Sequence, residues 1–362
     1  MIDEGGWWVR AAMGVVLVGV LLAISVACND EPDAGPAPTP APPTPTTPDP
    51  TTPEPTTPTP ATPTATPEPT PEPVWPLTGL PAPDGVPDDP VLVVKVDNTG
   101  PARPQVGLSA ADLVVHELVE GGATRLAAMY HSTLPPEVMP VRSVRTSDIA
   151  LVAPTGGALV ASGGAQRVLE QLADAGITVI AEGSAGFSRD QARGAPYNVS
   201  VDLGATIDEA AGLGAPEQPY LEWADPDAEL GAGEAVESVA VRFSTTHTTT
   251  WSWDGSGWQQ ADDLAAEGDE FAPETVLVLL VEIVDAGYTD PAGNFVPESV
   301  LEGTGDAFLL TDGEVIEAEW AKDDPAAAIE LADSAGDPLP VPPGRTWIEL
   351  VPEAGEVTWT AP

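Results

Sequence analysis

Residues 159–181, LVASGGAQRVLEQLADAGITVIA, decide the fold class. The stretch begins with a short strand-like segment, passes through a glycine pair and ends in a second strand-like segment, residues 177–181. Between them apolar residues recur on one face with helical spacing, and Gly176 closes the helix. A strand, a helix and a strand in this order form a βαβ-like unit, so the sequence predicts an α/β domain.

The segments before this unit also favour buried strands. Residues 91–96, VLVVKV, are a β-branched run, and the Asp-Asn-Thr-Gly-Pro sequence that follows breaks it. Residues 113–119, LVVHELV, fit either a strand or a helix, and residues 124–130 resume the pattern. We therefore predict an α/β N-terminal domain, a layered sandwich, at residues 75–225.

The sequence after about residue 230 is typical of an antiparallel β domain. Its strand-like segments are residues 239–243, 248–253, 275–284, 307–310, 315–320, 328–331 and 347–351. Asp254-Gly255 and Asp312-Gly313 have the composition of tight hairpin turns. We predict a mostly antiparallel β C-terminal domain at residues 230–355.

The N-terminus has the features of an export signal. Residues 11–27 are apolar or small except for one serine, and Arg10 precedes them. This length suits the hydrophobic region of a signal peptide better than a membrane span. Ala27-Cys28 resembles a lipobox, and Cys28 is the only cysteine of the chain. We predict a lipoprotein-type signal peptide at residues 1–28, lipidation of Cys28 and a location on the outer face of the cytoplasmic membrane. An uncleaved signal anchor and plain secretion are the alternatives.

A proline-rich stalk, residues 29–74, separates this signal from the predicted domains. Residues 31–73 contain 18 prolines in 43 positions, mixed with threonine, alanine and a few acids. Such a segment has no apolar face to bury and favours extended polyproline II, which would reach roughly 130 Å at about 3.1 Å per residue. The stalk is predicted to act as a disordered spacer.

The charge of the chain excludes one class of partner and points to one region. The net charge is −45, which repels nucleic acid, so we expect no nucleic-acid partner. Residues 95–193 nevertheless hold eight of the 12 lysines and arginines but only ten of the 57 acids. These cations either pair internally with nearby carboxylates or converge on an anionic ligand, for which arginine has a suitable planar fork.

Within this region two motifs predict an anion site. Arg142 and Arg145 are three residues apart, and Asp148 follows at the same spacing. Ser162-Gly163-Gly164 precedes the predicted helix, whose N-terminus favours an anion. The predicted ligand-binding residues are Arg125, Arg142, Arg145, Asp148, Ser162, Gly163, Gly164, Arg189, Arg193 and Asn198.

Other chemistries find little support in the sequence. Glu182 occupies the position where a serine nucleophile elbow around Ser184 needs glycine. The histidines His116, His131 and His247 lack metal-ligand spacing, so we expect no metal and no cofactor. No residue is predicted to be catalytic.

Short ordered motifs from about residue 75 to 351 resemble the YerB-like lipoprotein family. The matching motifs are Pro76-Leu77-Thr78-Gly79-Leu80, Val96-Asp97-Asn98, Ala102-Arg103-Pro104-Gln105, Ala111-Asp112-Leu113, Glu120-Gly121-Gly122-Ala123-Thr124-Arg125, Pro140-Val141-Arg142-Ser143-Val144-Arg145, Arg193-Gly194-Ala195-Pro196-Tyr197-Asn198, Gly303-Thr304-Gly305, Trp320-Ala321-Lys322 and Gly344-Arg345-Thr346-Trp347-Ile348. The resemblance implies an α/β N-terminal part and a smaller C-terminal part behind a lipoprotein signal, and no reaction. Tyr197 stands where the family pattern usually has histidine, which weakens any shared acid/base mechanism.

The sequence therefore favours a membrane-anchored protein that binds an anionic cell-envelope ligand. Two alternatives stay open. One is an envelope enzyme acting on a phosphate-linked glycopolymer, by analogy with LytR-CpsA-Psr phosphotransferases, and the other is a non-catalytic scaffold for protein partners. The oligomeric state is left open.

The first prediction concerns the anchor. Cys28→Ser removes the only thiol that could be acylated. The variant should appear in the medium or accumulate as an unprocessed precursor, as judged by membrane fractionation and metabolic lipid labelling. Unchanged labelling and fractionation would show that Cys28 is not the anchor.

Overall fold

The computed structural model describes residues 72–225, 228, 230–261 and 263–362. The predicted signal peptide, Cys28 and nearly all of the predicted stalk lie outside these residues. In the part that is described, no helix is long and apolar enough to cross a membrane.

The described residues form mostly strands and few helices. In chain order the strands are β1 Leu92–Asp97, β2 Leu113–Leu118, β3 Thr124–Tyr130, β4 Ala158–Ala161, β5 Thr178–Ala181, β6 Phe187–Arg189, β7 Val199–Val201, β8 Glu234–Ala235, β9 Ser238–Arg242, β10 Thr248–Trp253, β11 Trp258–Gln260, β12 Thr275–Val281, β13 Ile283–Thr289, β14 Phe295–Ser299, β15 Gly303–Thr311, β16 Glu314–Lys322, β17 Glu330–Asp333, β18 Thr346–Pro352 and β19 Glu356–Thr360. The α-helices are α1 Asp148–Val152, α2 Gln166–Asp174 and α3 Leu203–Thr206.

One large mixed sheet forms the centre of the fold. Its strand order is β17-β16-β15-β12-β18-β2-β3-β1-β4-β5, and β8 pairs with β16. Strand β18 is parallel to both of its neighbours, β12 and β2. Strands from early and late in the chain are therefore hydrogen-bonded in one sheet. A second sheet has the order β11-β10-β9-β19.

The large sheet separates two hydrophobic cores because successive side chains of a strand point to opposite faces. The helix-side core includes Val93, Val115, Met129, Leu151, Val168, Leu172, Leu277 and Ile348. The sheet-side core includes Val94, Val114, Tyr130, Val160, Val239, Val241, Trp251, Val276 and Trp347. Helices α1 and α2 thus cover one face of the large sheet, and the second sheet covers the other.

The βαβ-like unit predicted from residues 159–181 is confirmed. Strand β4 pairs in parallel with β5, and α2 lies between them in the chain. Val168 and Leu172 are the fully buried apolar residues of α2, four positions apart as a single helix face requires. The described residues are mostly strand with few helices. The layered-sandwich description of the N-terminal part stays a prediction.

Two predicted hairpins are confirmed, one ambiguity is resolved, and one segment differs in detail. Strands β10 and β11 pair in antiparallel fashion across Asp254-Gly255. Asp312 and Gly313 join β15 to β16 with φ angles of 49° and 77°, as a tight hairpin turn requires. Residues 113–119 form a strand, β2, rather than a helix, because both faces of that strand are buried. The segment 275–284 is not one strand. It breaks after Val281, and β13 turns away to pair with β14.

The position of β18 leads to a stability prediction. Ile348 is fully buried in β18 between β2 and β12. Ile348→Ala should lower the free energy of unfolding by about 2–5 kcal/mol, because the cavity cannot collapse fully. In urea titrations, the unfolding midpoint measured by tryptophan fluorescence should move to lower urea. The loss of hydrogen-exchange protection in β1–β3 should move with it. Unchanged protection of β1–β3 would show that the early strands do not depend on β18.

Candidate functional site

Charged side chains collect where β1, β2 and β3 lie side by side on the helix-side face. Arg125 of β3 is opposite Asp97 of β1 on one side and opposite Glu117 of β2 on the other. Lys95 lies on the same face of β1, two residues before Asp97. This part of the sheet carries charge in an otherwise apolar interior.

Arg142 and Arg145 extend this group from the segment before α1. The Arg142 guanidinium donates to the Asp97 carboxylate, and that of Arg145 donates to Glu120. Arg145 Nη1 also donates to the backbone carbonyl of Val144 at 2.7 Å. Both arginines are thus held by a carboxylate of the β1–β3 region. Arg145 Nε is buried, and no described residue accepts a hydrogen bond from it.

Arg125 differs from these two because no carboxylate in the described chain accepts a hydrogen bond from it. Its Nη1 donates to the carbonyl of Ser143 at 2.9 Å, and the residue is only 6% exposed. Burial lowers the pKa of Arg125 to about 10, and repulsion from Arg145 and Arg142 adds to the effect. Attraction to Glu120 and Asp97 opposes the fall, so the guanidinium is a buried cation between other cations and carboxylates that do not bind it directly.

A fourth arginine, missed by the sequence-based site prediction, lies close to this group. Arg167 of α2 stands 5.2 Å from the ring centre of Tyr288, and its Nη1 donates to the carbonyl of Gly287 at 2.5 Å. Burial raises the pKa of Tyr288, while the charges of Arg145, Arg125 and Arg167 oppose the rise. We call Arg125, Arg142, Arg145 and Arg167 the arginine cluster.

The predicted Ser162-Gly163-Gly164 turn lies next to the arginine cluster. The Ser162 N–H donates to the carbonyl of Arg142, and the Val144 N–H donates to that of Gly163, both at 2.9 Å. A Cβ on Gly164 would lie 2.4 Å from a methyl carbon of Val144, so only glycine allows this approach. The turn supports the arginine segment, and the Ser162 N–H is already used.

Arg189, Arg193 and Asn198 lie on and between the strands β6 and β7. Arg189 makes a two-point contact with Glu182, at 2.6 and 2.7 Å, and donates to Asn198 Oδ1 at 2.9 Å. Arg193 donates to the carbonyls of two residues in the 102–104 loop and is 3.5 Å from the Asp190 carboxylate. Both arginines have partners of their own. The Arg142 guanidinium lies 5.5 Å from the ring centre of Tyr197, which precedes Asn198. That these residues share a ligand site with Arg142 stays a prediction.

Asp148 is brought next to Arg145, but its carboxyl group is buried against Lys95. It is fully buried, accepts the Arg145 N–H at 2.7 Å and lies 2.7 Å from the Lys95 ammonium. Glu117 reaches the same ammonium at 2.5 Å. Sequence spacing identified Asp148 but could not show that β1 supplies its partner.

On the opposite face of the sheet, a buried polar network links β18 to β2. Glu349 Oε2 lies 2.6 Å from His116 Nδ1, and Trp251 Nε1 donates to Glu349 Oε1 at 2.9 Å. Asn98 Nδ2 contacts His116 Nε2 at 3.0 Å. With Nδ1 donating to the carboxylate and Nε2 accepting from the amide, both nitrogens of His116 are engaged. No local sequence signal connects residues so far apart in the chain.

This network reaches a cavity of about 220 Å³. Asn98 and His247 line the cavity, and Thr124 Oγ1 bridges them at 3.0 and 3.3 Å. The buried hydroxyl of Thr249, which also lines it, has no hydrogen-bond partner among the described residues. Burial lowers the pKa of His247 to about 4, with repulsion from His116 adding to it, so this imidazole is neutral at pH 7.

Comparison with known proteins places the chain in a family. Residues 77–215 match the N-terminal domain, and residues 239–348 the C-terminal domain, of a protein family of unknown function (DUF3048). The Bacillus subtilis (strain 168) protein named "Putative lipoprotein YerB" is 30% identical over 290 residues, which cover 77% of this chain and 86% of the relative. The chain belongs to the YerB-like family.

The family assignment extends to the fold. The crystal structure of the Bacillus subtilis YerB protein superimposes with a TM-score of 0.65 at 26% identity, covering 79% of this chain and 99% of that one. The resemblance inferred from short motifs is thereby confirmed.

The neutral state of His247 predicts a pH effect. In the unfolded chain His247 takes up a proton near its ordinary pKa of 6.5, whereas in the folded chain it does so only near pH 4. Folding stability should therefore fall as the pH drops from about 6.5 towards 4. In His247→Gln the fall should be shallower, as measured by melting temperature across this range. Parallel melting-temperature curves for parent and variant would contradict the lowered pKa of His247. The other titrating groups are the same in both proteins and cannot cause a difference between the curves.

Proposed function

We propose that this protein is an extracytoplasmic lipoprotein that binds an anionic cell-envelope ligand through the arginine cluster. The Ala27-Cys28 sequence supports the anchor, as does the name of the Bacillus subtilis relative, which describes a lipoprotein. The Pro/Thr-rich stalk would then hold the folded part away from the membrane. The ligand is a phosphate-bearing or carboxylate-bearing component of the envelope.

The observation that carries this proposal is the state of Arg125. A buried guanidinium is normally paired with a carboxylate, because leaving a buried charge without a counter-ion is costly. Arg125 has one hydrogen bond to a backbone carbonyl, and repulsion from Arg145 and Arg142 exceeds the attraction of Glu120 and Asp97. An anion bound beside it would add counter-charge and relieve the repulsion.

The charge balance of the cluster supports the same ligand class. Asp97 binds Arg142 and Glu120 binds Arg145, whereas Arg125 and Arg167 donate to backbone carbonyls. Burial raises the pKa of Glu298, and attraction to Arg167 opposes the rise. A chain with a net charge of −45 thus keeps a locally positive site. Phosphate and carboxylate both match the planar donor fork of arginine.

A binding role is favoured over the envelope-enzyme alternative by the position of the nearby carboxylates. Asp148, the acid expected beside the arginines, is buried against Lys95, and Glu120 is paired with Arg145. Neither is free to act as a general base towards a bound ligand. The protein-partner scaffold is not favoured by any contact in the cluster.

The proposal is tested by removing the guanidinium that lacks a carboxylate. Arg125→Met keeps an apolar stem of similar length and leaves no carboxylate unpaired. Loss of one charged hydrogen-bonding group should weaken binding about 10- to 100-fold. Isothermal titration would use short polyglycerol phosphate and an oligogalacturonate, to separate phosphate from carboxylate recognition, and binding should weaken as salt is raised.

Arg242→Gln is the matched control, because it removes the same charge from an exposed pair with Glu356. It should leave binding nearly unchanged. Equal weakening in both variants would mean that only overall charge matters. Absence of binding of either probe to the parent protein would refute the proposed function.

A further inference from the structure

Three ionisable side chains meet in the interior at a point that no solute can reach. Lys95 of β1, Glu117 of β2 and Asp148, the first residue of α1, are all fully buried. The Lys95 Nζ lies 2.5 Å from Glu117 Oε1 and 2.7 Å from Asp148 Oδ1. We call these residues the buried trio. Since no substrate has access, their only available reaction partners are one another.

The charges of the buried trio do not balance if both acids are ionised. One ammonium would then face two carboxylates in a dry interior, which is unfavourable. Burial raises the pKa of Asp148, and repulsion from Glu117 adds to the rise although Lys95 opposes it. The raised pKa favours the form in which Asp148 holds a proton. Glu117 Oε2 is buried, and none of the described residues donates a hydrogen bond to it.

We propose that Lys95 and Asp148 condense to form an intramolecular amide bond, with Glu117 carrying the protons. The arrangement holds the three groups that such a reaction needs: an amine, a protonated carboxyl group and a carboxylate within hydrogen-bond distance of the amine. Their burial excludes the water that would otherwise compete and hydrolyse.

The step balances without any further reactant. Burial lowers the pKa of Lys95, but the acidic neighbours raise it overall. In the reacting form Asp148 is neutral, Glu117 is the ionised neighbour, and the amine starts protonated. It first gives one proton to Glu117. The Nζ lone pair then attacks Asp148 Cγ, the C–N bond forms, and the carboxyl hydroxyl leaves as water with a proton that came from the amine. Glu117 ends protonated, and the product contains no buried charge.

The backbone supplies a further element of this chemistry. The Arg145 N–H donates to Asp148 Oδ2 at 2.7 Å. This donor is fixed before reaction and would stabilise the negative charge that develops on the carboxyl oxygen during attack. The product would tie β1 to α1 covalently in a chain whose single cysteine permits no intrachain disulfide.

The test is peptide mapping of the full-length purified protein. Trypsin normally cleaves after Lys95, but an acylated lysine is not cleaved. The expected result is a branched peptide in which residues 146–167 are joined to the Lys95 segment, lighter than the two linear peptides by one water. A digest that contains only the linear peptides, with cleavage after Lys95, would overturn the proposal.

Two comparisons make the assignment specific. Glu117→Gln keeps the size of the side chain but cannot take the proton, so it should give the linear peptides. Asp148→Ala should do the same, because it removes the electrophile. Asp-Gly sites at 84, 254 and 312 can also lose one water by cyclising. Tandem mass spectrometry should therefore locate the water loss in the sequence. The proposal would be overturned if the loss lies at one of these Asp-Gly sites, or if it remains unchanged in Asp148→Ala.

Discussion

The parallel insertion of β18 between β12 and β2 is the constraint on which the rest of the structure depends. Residues 346–350 pair with residues 113–117 on one side and residues 275–279 on the other. Without this strand the early and late parts of the large sheet have no hydrogen-bonded connection through its centre. The same register sets Glu349 beside His116, so the pairing that builds the sheet also builds the buried polar network.

Strand alternation gives the two faces of this sheet opposite electrostatic characters. His116 and Glu117 are neighbours in β2, yet His116 joins a network with Glu349 and Asn98, whereas Glu117 joins Lys95 and Asp148. A shift of one residue in the register of β2 would exchange these environments and leave both without partners. The polar groups therefore fix the register that the apolar residues of β2 alone would leave ambiguous, because both faces of this strand are buried.

Sequence reasoning succeeded where the signal was local. The βαβ-like unit and the Asp312-Gly313 hairpin follow from spacing over a few residues. It failed where the two partners come from distant parts of the chain. No local sequence pattern predicts that Asp97 pairs with Arg142 or that His116 pairs with Glu349. The helix-or-strand ambiguity of residues 113–119 had the same origin, since a strand buried on both faces loses its alternating pattern. Arg167 was missed because it looked like the polar face of α2, and its neighbour Tyr288 lies in a hairpin far along the chain.

Arg145 connects the two charged centres on the helix-side face. Its guanidinium binds Glu120 within the arginine cluster, whereas its backbone N–H binds Asp148 of the buried trio. A cluster of like charges tends to spread apart, and side-chain pairs near a surface resist this only weakly. The hydrogen bond from the Arg145 backbone to the fully buried Asp148 resists this spreading more strongly. Moving the segment that carries Arg145 would expose or unpair Asp148 and Lys95. The repulsion that depresses the Arg125 pKa can therefore persist in the folded protein, and a positive site can be maintained inside a strongly acidic chain.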